Sequence, residues 1–129
     1  MNSSLDTNIL LRYIWRDVPS QQASVNRLFD DTSQRFYISD MVVAELIFNL
    51  QNDKMKHNEI VDILMKIFEK KNVVVSDFVM ETVLPFYAEH PALSFVDCYA
   101  AFEAERKGWE PLYTFDKKLA NQHPSAKMA

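Results

Sequence analysis

Leu5-Asp6-Thr7-Asn8-Ile9-Leu10-Leu11-Arg12-Tyr13-Ile14 reads as the end of a short strand turning directly into a helix with an apolar face. Asp6 sits at the junction. In an open parallel sheet, ligands bind in the crevice outside the carboxyl ends of the strands, so a carboxylate at a strand-to-helix turn faces the functional side. The same residue type is also a preferred helix N-cap, whose oxygen accepts a backbone N–H of the first turn. The choice between a ligand and a cap turns on whether the chain offers further acids in the same kind of place.

Outward from that stretch, Asp17-Val18-Pro19-Ser20 is a turn, and Ser20 is predicted to cap a helix reaching about Asp31 with Ala23, Leu28 and Phe29 inside. Arg35-Phe36-Tyr37-Ile38 follows as a strand of β-branched and aromatic type. Ser39 then caps a helix with Asp40 in its first turn and a core stripe of Val43, Leu46, Ile47 and Leu50. Glu45 interrupts that stripe. Its neighbours one turn away are Met41, Val42, Phe48 and Asn49, which puts it at the edge of the buried face, where a carboxylate is costly unless a cation or donor meets it; the competing reading is that it reaches out to water or pairs with a lysine.

A further helix spans Asn58 to Lys70 with Ile60, Ile63, Leu64, Ile67 and Phe68 on one face, and Asn72-Val73-Val74-Val75 is a buried parallel strand. Ser76 or Asp77 caps the next helix, which Pro85 is placed to kink. Ser94-Phe95-Val96-Asp97 nearly matches a capping box, which would give Asp97 a purely structural task. The helix it opens is apolar almost all round and so is expected to be buried centrally, with the small Ala100 and Ala101 leaving room beside Asp97. Arg106-Lys107-Gly108 ends it, and Pro111-Leu112-Tyr113-Thr114 is the fourth strand, with Thr114 or Asp116 capping the short helix after it.

Composition narrows the function. With 129 residues and 48% hydrophobic content, a single domain over residues 1–129 is expected. The net charge of −4, from eighteen acids against fourteen bases, argues against a passive basic binder of nucleic acid. One glycine, Gly108, rules out a P-loop or dinucleotide fingerprint. One cysteine, Cys98, excludes an internal disulfide and a cysteine-only zinc site. Apolar runs such as Met41–Ala44 fall far short of the roughly 20 residues of a membrane span, so a soluble, cytoplasmic protein with no membrane partner is expected.

Asp6 and Asp116 thus fall at strand ends, while Glu45 and Asp97 lie in the first two turns of helices entering from the same side. In a doubly wound fold all four are expected to converge at one sheet edge. Carboxylates in a cleft repel one another unless protonated or neutralised by cations. Hard oxygen donors suit Mg²⁺ or Mn²⁺, and carboxylate-held metals serve in-line attack of water on a phosphodiester.

Taken in order, Leu5-Asp6-Thr7-Asn8 with Leu11-Arg12-Tyr13, Ala44-Glu45-Leu46, Phe95-Val96-Asp97 and Thr114-Phe115-Asp116-Lys117-Lys118-Leu119 resemble the successive motifs of the PIN domain, and in size the chain is similar to VapC-type toxins. The resemblance implies a three-layer α/β/α sandwich around a central parallel sheet of four to five strands. It further implies a metal-dependent endoribonuclease whose metal-binding acids are Asp6, Glu45, Asp97 and Asp116, with Asn8 and Thr114 as polar supports. An antitoxin partner and a homodimer are implied with it. The broad apolar faces of helices 40–51 and 58–70 fit a covering partner. Two stretches depart from the family pattern: Met1-Asn2-Ser3-Ser4 is polar where an apolar first strand is usual, and His123 to Ala129 lacks the apolar run of a fifth strand. Competing readings are a phosphotransfer or phosphatase-like domain using Asp6, against which Asn8 stands where a second Asp is wanted, and a PIN-like binding module without chemistry.

Overall fold

The computed structural model describes residues 1–129. It is an α/β fold in which every strand pairing is parallel. Strands β1 (Asn2–Ser4), β2 (Arg35–Tyr37) and β3 (Val73–Val74) pair in that order, with Ser3 opposite Phe36 and Phe36 opposite Val73. Strands β4 (Leu112–Thr114) and β5 (Ala126–Met128) form a second parallel pair, Leu112 facing Ala126. All five strands of the expected sheet are therefore present, in two hydrogen-bonded sets, and no ladder joins β1 to β4.

The two stretches that depart from the family pattern both form strands. β1 is polar yet pairs fully, because a ladder needs only backbone groups: Arg35 N–H donates to Met1 O at 2.9 Å and Leu5 N–H to Tyr37 O at 3.0 Å. β5 buries only Ala126 and leaves Lys127 and Met128 outside, so it needs no apolar run. Ser125 O and the Ala129 N–H complete its pairing with β4 at 2.7 and 3.0 Å.

Helices α1 (Thr7–Trp15), α2 (Pro19–Asp30), α3 (Asp40–Asn52) and α4 (His57–Phe68) connect the first three strands. The α3 stripe of Val43, Leu46, Ile47 and Leu50 is buried as its periodicity demands, and Ile60, Leu64, Ile67 and Phe68 of α4 join it. α2 starts two residues earlier than a Ser20 cap would set it, with Val18 as its N-cap. Pro19 takes its first position, where a missing N–H costs nothing, and Val25 with Phe29 is buried while Ala23 faces outward.

Beyond β3, Pro85 does not kink a regular helix. A π-helical segment (Phe78–Val83) runs directly into α5 (Leu84–Glu89), and the Leu84 N–H reaches back five residues to Val79 O. The wider turn accommodates a proline that an α-helix interior would reject. α6 (Phe95–Lys107) follows and lies less deep than expected: Phe95, Cys98 and Ala101 are buried, whereas Val96 is exposed. Its turn into β4 is short, so α6 runs against β4 and its N-terminal end lies toward the carboxyl end of that strand. α7 (Lys117–Gln122) then packs on β4 and β5. No helix is long and apolar enough to cross a membrane.

Candidate active site

Because β1, β2 and β3 are parallel, the exits at Asp6, Ser39 and Ser76 share one edge of the sheet. Asp6 is the N-cap of α1, extended in backbone, and its Oδ1 accepts the Thr7 N–H at 2.6 Å. Thr7 itself is buried, and its hydroxyl donates to Glu45 Oε2 at 3.0 Å across 38 residues of sequence. One threonine thereby ties the first acid's turn to the second acid's helix. Glu45 does not lie at the edge of the buried face. It is exposed, one step past a stripe already filled by Leu46 and Ile47, so its charge stays hydrated and needs no buried counter-ion.

Asp97 sits at the third position of α6, half-exposed. Its N–H donates to Ser94 Oγ at 3.1 Å, but its carboxylate does not reach back to the Ser94 N–H. Only half of the capping box forms, and the carboxylate has no protein partner. Asp116 does perform a cap: Oδ1 accepts the Lys118 and Leu119 N–H groups at 2.9 and 3.2 Å. Thr114 Oγ1 accepts the Asp116 N–H at 3.0 Å and so fixes the turn, while Asn8 is exposed with no side-chain bond.

A second set of residues, read in sequence only as helix-end or core positions, joins these elements. Asp40 at the start of α3 accepts the Ser76 hydroxyl on Oδ1 at 2.9 Å and the Tyr99 hydroxyl on Oδ2 at 2.6 Å. Burial and then the bond to Asp40 push the Tyr99 phenol up to about 12, so it stays protonated as the donor. The Tyr99 ring meets Phe78 edge-on at 5.2 Å, and the Arg106 guanidinium covers Phe78 at 3.9 Å.

Other nucleophiles and ligands are accounted for elsewhere. Burial, with the Asp97 charge adding to it, pushes the Cys98 thiol up to about 12, which excludes a thiolate at neutral pH. His57 bonds Leu93 O at 2.6 Å and His90 Nδ1 bonds Phe86 O at 2.7 Å. His123 is enclosed by Phe86 and Phe102, and burial lowers its pKa and keeps it neutral.

Asp6, Glu45 and Asp116 each keep one carboxylate oxygen free of any protein bond, and Asp97 keeps both. None has a cationic partner, since the two ion pairs, Arg12–Asp17 at 2.7 Å and Lys107–Glu103 at 3.0 Å, involve other acids. That donor set is all hard oxygen and fits Mg²⁺ or Mn²⁺. As placed, no three His, Cys, Asp or Glu side chains stand close enough together to hold an ion. The fold brings Asp6 to Glu45 through Thr7 and the Asp97 helix to the Glu45 helix through Asp40, but gives Asp116 no bond to the other three.

No curated protein and no solved structure is significantly similar to the chain. The PIN domain family, however, matches over residues 4–122, a span that contains all four acids and every strand but β5 and the first residues of β1. By that match over most of its length, the chain belongs to the PIN domain family.

Proposed function

We propose that this protein is a metal-dependent endoribonuclease and the toxin of a toxin–antitoxin pair. PIN domains are in general metal-dependent nucleases that hydrolyse nucleic acids with Mg²⁺ or Mn²⁺. The observation that carries the reading for this chain is the state of its four motif acids: each retains at least one unbonded carboxylate oxygen, and none is paired with a lysine or arginine. Asp6, Glu45, Asp97 and Asp116 would hold the ion. When bound, Mg²⁺ or Mn²⁺ would lower the pKa of water and offset charge on the phosphate. Thr7 orients Glu45 by its hydroxyl, and Thr114 sets the turn that aims Asp116.

The experiment is RNA cleavage by purified protein with Mg²⁺ or Mn²⁺, against excess EDTA. Cleavage should vanish with EDTA and in Glu45→Gln and Asp97→Asn, which lose a charge but no bond that caps or packs the fold. Undiminished cleavage in EDTA would overturn the assignment.

We also propose a homodimer. The apolar face of α4 is covered within the chain, so it offers no surface for a partner. On α3, by contrast, Met41 and Phe48 are 73% and 65% exposed, and Val96 of α6 is 59% exposed beside Met41. Met41 and Val96, with Ala44 and Phe95, border a cleft of about 270 Å³ between the two helices. A second copy would bury this strip against itself. Sedimentation should give a dimer for the wild type and a monomer for Phe48→Glu, and a monomeric wild type would sink the proposal.

A further inference from the structure

We propose that Asp40 is a positioning residue of the nuclease site, setting the separation between Glu45 and Asp97 by clamping α3 to α6 through Tyr99 and to the exit of β3 through Ser76. This rests on the nuclease reading above and adds to it a residue that would touch neither metal nor substrate.

The Asp40–Tyr99 bond at 2.6 Å is the sole hydrogen bond between α3 and α6, and no ion pair joins them. Apart from Asp40, Tyr99 and Glu103, the cleft between the helices is walled by the apolar Met41, Ala44, Phe95 and Val96. Apolar contact is non-directional and tolerates sliding. A charge-assisted hydrogen bond fixes distance and angle.

Both ends of the bond are braced. Ser76 occupies the other Asp40 oxygen at 2.9 Å and itself accepts the Val79 N–H at 3.2 Å, which links the clamp to the π-helical segment. Tyr99 is held by Phe78, and Phe78 by Arg106. Glu45 stands five residues along α3 from Asp40, and Asp97 two residues before Tyr99 on α6. Helices are stiff over such spans, so a shift at the clamp is carried to both carboxylates. A misplacement on the order of 1 Å costs about 100-fold in rate.

A merely structural Asp40 would contribute to stability alone, and direct metal binding separates the two roles. Tyr99→Phe removes one hydroxyl and keeps the ring packing, while Asp40→Asn keeps an acceptor but removes the charge. Mn²⁺ affinity is measured by electron paramagnetic resonance, alongside kcat and KM for RNA cleavage and thermal unfolding without metal. The expected result is Mn²⁺ binding weakened about 10-fold and kcat lowered at near-constant KM in both variants, with the folded far-UV spectrum retained. Asp40→Asn combined with Tyr99→Phe should fall short of the sum of the two single effects, because both act on the same charge-assisted bond. Melting temperature lowered with Mn²⁺ affinity and kcat unchanged would overturn the proposal while leaving the nuclease reading intact, provided Glu45→Gln and Asp97→Asn abolish both. If those two variants bind Mn²⁺ and cleave like the wild type, the nuclease reading fails and this inference fails with it.

Discussion

Asp116 shows how one carboxylate can close a helix and still face outward. Oδ1 is spent on the first turn of α7, accepting two N–H groups, and Oδ2 is bonded to nothing. Asn caps a helix about as well as Asp, and Ala does not. Asp116→Asn should therefore keep the wild-type melting temperature without metal and lose cleavage. Asp116→Ala should lose cleavage and also about 1 kcal/mol of stability. Thermal unfolding and an RNA assay on the two variants check both. Full activity in Asp116→Asn would reduce this residue to its cap. Sequence indicated the candidate acids but not their partners: Thr7 and Tyr99 find Glu45 and Asp40 across 38 and 59 residues, a separation that no local pattern reports. Glu45 was legible as an anomaly, yet the choice between a met carboxylate and one that reaches water stayed open, because helical spacing gives a face and not where the neighbouring element ends.

Among the elements, those with a strong apolar period or a cap were readable from the chain. The α3 stripe, the Ser39 cap and the glycine that ends α6 all stand where residue type puts them. The strands at the two ends of the chain carry no apolar run to mark them: β1 pairs through its backbone with all three residues exposed or half-exposed, and β5 buries only Ala126. The π-helical segment also escaped, since Phe78–Val83 carries no residue that forbids an α-helix and only Pro85 beyond it does. Gly108 offers a clean test at this scale. It holds φ +73° with nothing within 4 Å of where a Cβ would sit, so a side chain there meets no neighbour and only the left-handed backbone is penalised. Gly108→Ala should lower stability by about 1 kcal/mol and leave RNA cleavage at the wild-type rate. A denaturant titration with matched activity measurements decides it, and an unchanged midpoint would refute the account.

For the whole molecule, the four acids come from four separate excursions of the chain: Asp6 follows β1, Glu45 lies on the helix after β2, Asp97 opens α6 and Asp116 follows β4. The hydrogen bonds that tie these excursions together are few: Thr7 to Glu45, Ser76 to Asp40 and Tyr99 to Asp40. Charge spread over a protein of net −4 would not predict a partner for nucleic acid, and any attraction of a phosphate backbone to these acids depends on cations gathered there.

The parallel pairing has a consequence in time. Asn2 must find Arg35, and Phe36 must find Val73, before β1, β2 and β3 exist as a sheet, and no hairpin shortens either search. Contacts so distant along the chain form late, after loop-closure entropy has been met, whereas helices such as α4 form from near neighbours. Diluted from denaturant, the protein should regain its helical circular dichroism in an early phase and its RNA cleavage only in a later one. Stopped-flow dichroism beside timed activity sampling reads the gap, and simultaneous recovery would show that the site closes with the helices. A nascent chain of this topology would then pass through a stage in which it is largely helical and its acids are not yet gathered.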